Sequence, residues 1–230
     1  MTQISENYKK IVRTIEIATQ KANRSIHPVK LLAVTKGEAF QSILELAKEG
    51  QKTFAENYVQ EWRRKKGDLS NFPIQWHFTG RVQTNKVKYL VGEIELFHSI
   101  DRLELAEKIN QIAEKQNIVC KGLIEINLAE EKTKGGIHEK NLTNLFEKLN
   151  QSDYLTILGL MILPPYSENP ESSRPYFKQL REILFDLNQK SIYKTPLTEL
   201  SMGTSHDFQV AIEEGATWVR IGRALFQKDE

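Results

Sequence analysis

Lys36 closes the run Leu31-Leu-Ala-Val-Thr-Lys36, a short apolar stretch that stops abruptly at a charge. Such a run reads as a buried strand with the lysine at its carboxyl end. An amine at the mouth of an apolar core is costly to keep charged. Desolvation lowers its pKa, and the neutral amine can attack a carbonyl to form a Schiff base. Taken alone, a lysine at a strand end is usually an ordinary snorkelling side chain, so the rest of the chain must decide. A second feature is Ser201-Met-Gly-Thr-Ser205, with Gly222-Arg223 further on. Small hydroxyl residues and glycines let backbone N–H groups approach an anion, and a helix amino terminus favours its charge. As a bare motif Ser-x-Gly-x-Ser is a turn, so its weight depends on where the fold puts it.

The elements that must place these residues follow from periodicity. Residues 6 to about 24 read as a helix, with Tyr8, Ile11, Ile15 and Ala18 at helical spacing. The strand ending at Lys36 follows, and then a helix over 39–49 that Gly50 stops. Further strands are expected at 53–57, 75–80, 96–100, 122–128, 157–163, 199–203 and 218–222. Helices are expected between them, including one over 82–91 and one that Asp101 caps. A last short helix opens at Arg223. Alternating strands and helices imply parallel strands with right-handed crossovers. Eight units in about 200 residues fit a single (β/α)8 TIM-type barrel with an extra N-terminal helix, one domain over 1–230. An open doubly wound sheet would carry a glycine-rich turn after an early strand, and Lys36-Gly37-Glu38 is not one.

Side chains alternate across a strand, which sorts the polar residues. Val219 and Ile221 suit the helices, so Arg220 points into the barrel, where it needs a partner. The same alternation sends Glu125 and Asn127 inside, with Ala55 and Asn57 on a second strand and His77 and Thr79 on a third. Each has a plain structural role open to it. His77 suits a satisfied core histidine, Asn57 a helix cap, and Glu125 a counter-ion for an internal arginine. Their convergence at the carboxyl ends of the strands favours a site, because barrel active sites gather there and phosphate commonly sits after strands seven and eight.

Composition sets the outer bounds. The 230 residues carry a net charge of +2, which gives no reason to invoke nucleic acid or an anionic membrane. The single cysteine, Cys120, cannot form an intrachain disulfide and suits a reducing compartment. The first residues lack a basic-then-apolar signal, and no apolar run is long enough to span a bilayer, so a cytoplasmic protein is expected.

With these residues in place the chain resembles the pyridoxal phosphate homeostasis proteins, which bind their cofactor on a barrel like the alanine racemase N-terminal domain. The matching segments are Leu32-Ala-Val-Thr-Lys36, Phe54-Ala-Glu-Asn-Tyr-Val-Gln-Glu61, Trp76-His-Phe-Thr-Gly80, Gln83-Thr-Asn-Lys86, His98-Ser-Ile-Asp101, Gly159-Leu-Met161, Leu200-Ser-Met-Gly-Thr-Ser-His-Asp207 and Val219-Arg-Ile-Gly222. They span the chain nearly end to end, and their joint occurrence is far more specific than any one. The departures are small: Phe-Ala-Glu for the usual Phe-Gly-Glu, Gly-Arg-Val-Gln for Gly-x-Leu-Gln, and Thr204-Ser-His206 for Met-Ser-x. Ala55 and Thr204 are expected to tighten packing locally.

The resemblance implies a fold-type III barrel holding pyridoxal 5'-phosphate as a Schiff base on Lys36. The cofactor-binding set it implies is Lys36, Asn57, His77, Met161, Ser201, Met202, Gly203, Ser205, Arg220 and Gly222, with no metal. The phosphate is expected against Ser201, Gly203, Ser205 and the Gly222 backbone. Arg220 is expected deeper, at the pyridine nitrogen, with phosphate contact as the competing geometry. The implied role is intracellular homeostasis of the cofactor and of amino and keto acids. Pyridoxal phosphate and the apo-forms of enzymes that use it are the expected partners of a monomeric chain. The alternative is a racemase-like enzyme. Alanine racemases add a β-rich second domain carrying a tyrosine opposite the lysine, and after the eighth unit this sequence leaves no room for one. An arginine at the ring nitrogen also weakens the electron sink that carbanion chemistry uses. A carrier or regulator is therefore favoured over a turnover enzyme, and over a ligand-free dimerisation module.

Overall fold

The structure, a computed structural model, describes residues 2–23, 28–129 and 135–227. The chain opens with α1 (Gln3–Lys21), whose first turn Thr2 caps and whose buried stripe is Ile11, Ile15 and Ala18. Its expected end near residue 24 lies outside the described residues. Then come β1 (Lys30–Val34), α2 (Phe40–Lys48), β2 (Thr53–Glu56), α3 (Val59–Asp68), β3 (Gln75–Phe78), β4 (Leu96–Ile100) and α4 (Leu103–Gln116). The second half is β5 (Cys120–Ile126), α5 (Leu142–Leu149), β6 (Leu155–Ile162), α6 (Arg174–Gln189), β7 (Glu199–Thr204), α7 (Phe208–Glu213), β8 (Trp218–Ile221) and α8 (Arg223–Phe226). Among the described residues eight parallel strands close a barrel in chain order, β8 returning to β1 through Lys30 opposite Trp218 and Ala33 opposite Ile221.

Strand alternation separates two apolar layers. Phe54, Phe78, Phe97, Ile124, Leu160 and Val219 pack outward against the helices. Leu32, Ala55, Leu96, Leu123, Met161 and Trp218 fill the interior. Burying one such large side chain contributes about 1.5–3 kcal/mol, so the outer layer dominates stability. Gly159 lets β6 lie close to β7, because a Cβ there would sit 1.8 Å from the Glu199 carbonyl oxygen.

Two local expectations are corrected. Between β3 and β4 the chain forms only a 3-10 turn, Thr84–Tyr89, rather than a helix over 82–91. At α4 the N-cap position belongs to Arg102, without a side-chain cap. The Asp101 carboxylate is instead held by Arg81 and Arg102, ion pairs that outcompete a cap. No helix among the described residues is long and apolar enough to cross a membrane.

Candidate functional site

A cavity of about 340 Å³ opens at the carboxyl ends of the strands. Its wall takes Val34 and Lys36 from β1 and the turn after it, Asn57 after β2, and Thr79 after β3. Leu163 and Tyr166 come from the loop after β6, Thr204, Ser205 and His206 from the end of β7, and Arg220, Gly222 and Arg223 from β8 and α8. Three of these side chains are cationic and none is a carboxylate. The hollow is thus electropositive within a protein of net charge only +2.

Lys36 does not end the strand. β1 stops at Val34, and Lys36 stands in the following turn with its side chain exposed. The expected desolvation of its amine is therefore not found. Asn57 belongs to the cavity rather than to helix capping. Tyr58 takes the N-cap position of α3, and the Asn57 Oδ1 accepts a 2.9 Å hydrogen bond from the Thr79 hydroxyl.

Arg220 points inward as alternation requires and is buried. Its guanidinium donates to Ser201 Oγ and to the Ile162 carbonyl, both at 2.8 Å. Burial pulls its pKa down to about 10, while Asp207 and Glu125 oppose that shift, so it stays cationic at neutral pH. Ser201 in turn meets His98 Nδ1 at 2.8 Å, and His98 Nε2 meets His77 Nδ1 at 2.9 Å. Burial holds the His77 pKa at about 3 and that of His98 well below the usual range, so both imidazoles are neutral. The Trp218 ring packs against both.

This hydrogen-bonded row sets the placement of two expected residues. His77 is not with the strand carboxyl ends. It lies deeper, lining a small hollow with Lys30, Gln75, Glu199 and Trp218 at the opposite end of the barrel. Ser201 faces inward, but its hydroxyl is enclosed between His98 and Arg220 below the cavity. Met161 fills the barrel interior, and Met202 faces the helices. Gly203 has φ +89°, and a Cβ there would meet Ala211 Cβ at 2.5 Å, so the packing of α7 already requires glycine. Ser205 does reach the cavity, and its Oγ accepts the Ala224 N–H at 3.2 Å. Thr204 is tied by its N–H and its hydroxyl to Asp207 Oδ1, at 2.7 and 3.0 Å.

Glu125 lies inside β5, half-buried. Burial and the Asp101 carboxylate raise its pKa to about 7, with Arg220 and Arg81 opposing. Asn127, expected beside it, lies past the end of β5 and lines a separate hollow with Leu128, His138 and Glu139. Sequence reasoning missed Leu163, Tyr166 and His206 on the cavity wall. Loop residues carry no periodic signal, although their position just after strand ends could have singled them out.

Of the expected set, Lys36, Asn57, Ser205, Arg220 and Gly222 meet around one cavity, whereas His77, Met161, Ser201, Met202 and Gly203 do not line it. Residues 6–229 match the model of the alanine racemase N-terminal domain. The pyridoxal phosphate homeostasis protein of Aquifex aeolicus is 47% identical over 221 residues, covering 96% of either chain. That of Pseudomonas aeruginosa is 36% identical over 226 residues, covering 98% of this chain and 96% of the relative. PipY of Synechococcus elongatus, solved with PLP bound, superposes with a TM-score of 0.86 at 31% identity, over 97% of this chain and 100% of that one. The barrel, its electropositive mouth and these full-length matches together make the chain a member of the alanine racemase N-terminal domain family and, within it, of the pyridoxal phosphate homeostasis proteins.

Proposed function

We propose that the chain binds pyridoxal 5'-phosphate through Lys36 and serves the homeostasis of that cofactor and of amino and keto acids, as a carrier rather than by turnover. The observation that carries this reading is the cavity wall with Lys36, Arg220 and Arg223 and no carboxylate, which suits a phosphate dianion beside an amine. The PLP-bound structure of PipY supports it. When bound, the cofactor supplies an aldehyde that bonds reversibly to a primary amine.

The residues fit that group. Lys36 offers an exposed amine at the rim. Ser205 accepts the Ala224 N–H and keeps its own proton to donate. Gly222 brings backbone to the wall; a Cβ there would come within 3.1 Å of the Val34 carbonyl oxygen. In this reading Ser205, Gly222 and Arg223 take the phosphate. Arg220, deeper and already fixed by Ser201 and Ile162, donates to the ring nitrogen. The chain acts as one barrel domain, a cytoplasmic monomer that passes the cofactor to apo-forms of the enzymes that need it.

The test is an absorbance spectrum of the purified protein before and after borohydride. A visible chromophore should disappear on reduction and leave the cofactor on a Lys36 peptide. A Lys36→Ala protein that keeps the same reducible chromophore at another lysine would refute the assignment.

A further inference from the structure

The turn that carries Lys36 is held from outside the barrel by three charged side chains that the cofactor reading does not use. Lys65, on α3, is buried to 1% exposure. An ammonium has three protons, and all three are matched: Thr35 O at 2.5 Å, Glu56 Oε1 at 2.6 Å and Glu61 Oε1 at 2.7 Å. Glu56, fully buried, also accepts the Thr35 hydroxyl at 2.6 Å through Oε1 and the Asn57 N–H at 3.3 Å through Oε2. Glu61 Oε1 accepts the Gly37 N–H at 2.6 Å.

The bonds converge on the two neighbours of Lys36. Thr35 accepts from Lys65 at its carbonyl and donates its hydroxyl to Glu56, and Gly37 donates its amide N–H to Glu61. Gly37 adopts φ +77° with nothing within 4 Å of a would-be Cβ, so glycine is needed there for backbone shape and not for room. The turn is thus fixed before and after the lysine, while the lysine side chain stays outside the network. A device built only to join α3 to the barrel would not need to clasp the peptide on both sides of one exposed residue.

We infer that Glu61, backed by Lys65 and Glu56, is a positioning group that presents the Lys36 amine to the cavity. The inference rests on the reading of Lys36 as the cofactor-bonding amine. Without the clasp at Gly37 the amine should sample orientations away from the cavity. Covalent capture should then suffer, while the noncovalent part of the cavity stays intact.

The experiment compares the unaltered protein with Glu61→Ala, Glu61→Asp and Glu61→Gln, using two probes. Pyridoxal 5'-phosphate reports the rate at which a borohydride-fixable adduct forms on Lys36. Pyridoxine 5'-phosphate, which has no aldehyde, reports affinity for the rest of the cavity. Glu61→Ala should slow capture at least about tenfold and leave pyridoxine phosphate affinity within about twofold, the pattern of a misplaced reacting group. Glu61→Asp draws the oxygen back by one methylene and should show the same split, so it decides the matter if the alanine variant fails to fold. Glu61→Gln keeps an oxygen for the Gly37 amide and should capture within about threefold of the unaltered rate. Unchanged capture in Glu61→Ala, parallel loss of both probes, or a glutamine variant as slow as the alanine one would overturn the inference. An unaltered protein that forms no adduct on Lys36 would overturn the cofactor reading itself, and the inference with it.

Discussion

Arg220 is charged and buried, and its hydrogen bonds go to neutral groups, the Ser201 hydroxyl and the Ile162 carbonyl, while the Asp207 and Glu125 carboxylates act on it through space. No carboxylate shares the wall of the cavity it lines. Replacing Arg220 by Gln should shift the cofactor chromophore and leave the preference for pyridoxal phosphate over unphosphorylated pyridoxal nearly intact. It should also lower stability by about 1–3 kcal/mol, because the Ile162 carbonyl loses its donor. Gly222 should behave in the opposite way. Its φ of −118° suits any residue, so a substitution there is limited by contact with the Val34 carbonyl oxygen, 3.1 Å from a Cβ, and not by backbone conformation. Gly222→Val should weaken phosphate-dependent retention more than it weakens folding. Affinities of both variants for both ligands decide the assignment. If Arg220→Gln erases the preference for the phosphorylated ligand and Gly222→Val does not, the two roles are reversed.

Among the strands, the β6–β7 contact is the least tolerant. A Cβ on Gly159 would lie 1.8 Å from Glu199 O, and the obstacle is backbone rather than a movable side chain. Gly159→Ala should therefore cost about 3 kcal/mol or more in urea unfolding, at the upper end of overpacking. Strand order, closure and the inward turn of Arg220 were legible in the sequence because period-two alternation is strong in Trp218–Ile221 and Cys120–Ile126. The 3-10 turn at Thr84–Tyr89 was not, since Val82, Val87 and Val91 suit either turn geometry on a helical count. Depth along the barrel was also hidden. Alternation says that His77 and Ser201 face inward but not how far below the mouth they lie. Glu56 did leave a signal that went unread. It shares the outward face of β2 with Phe54, and a carboxylate among helix-facing side chains must find a cation such as Lys65.

The whole barrel should feel the protonation of one interior group. The Glu125 pKa rises from an ordinary 4.5 to about 7 on folding. Below pH 4.5 the acid is protonated in both folded and unfolded chains and its contribution is complete. Between about 4.5 and about 7 the unfolded chain binds fewer protons, so stability falls as pH rises. The loss should be about 1–3 kcal/mol, and Glu125→Gln should remove it. Urea unfolding of the two proteins across this range measures the difference; equal slopes would show that Glu125 titrates normally. The row His98–Ser201–Arg220 couples the two buried imidazoles. A guanidinium can only donate, so Ser201 accepts from Arg220 through one lone pair, and its hydroxyl faces His98 Nδ1 with both a proton and a second lone pair. Neutral His98 carries one N–H, so it donates through Nε2 to His77 Nδ1 when its own Nδ1 accepts from Ser201, and accepts from His77 when its Nδ1 donates. In either case His77 Nε2 has no hydrogen-bond partner among the described residues, and the Trp218 ring packs against the imidazole. The two rings therefore share one tautomer, both Nε2–H or both Nδ1–H. Moving from one to the other reverses both imidazole bonds together and leaves the Arg220 bond in place, so the pair acts as a single two-state unit in the barrel interior.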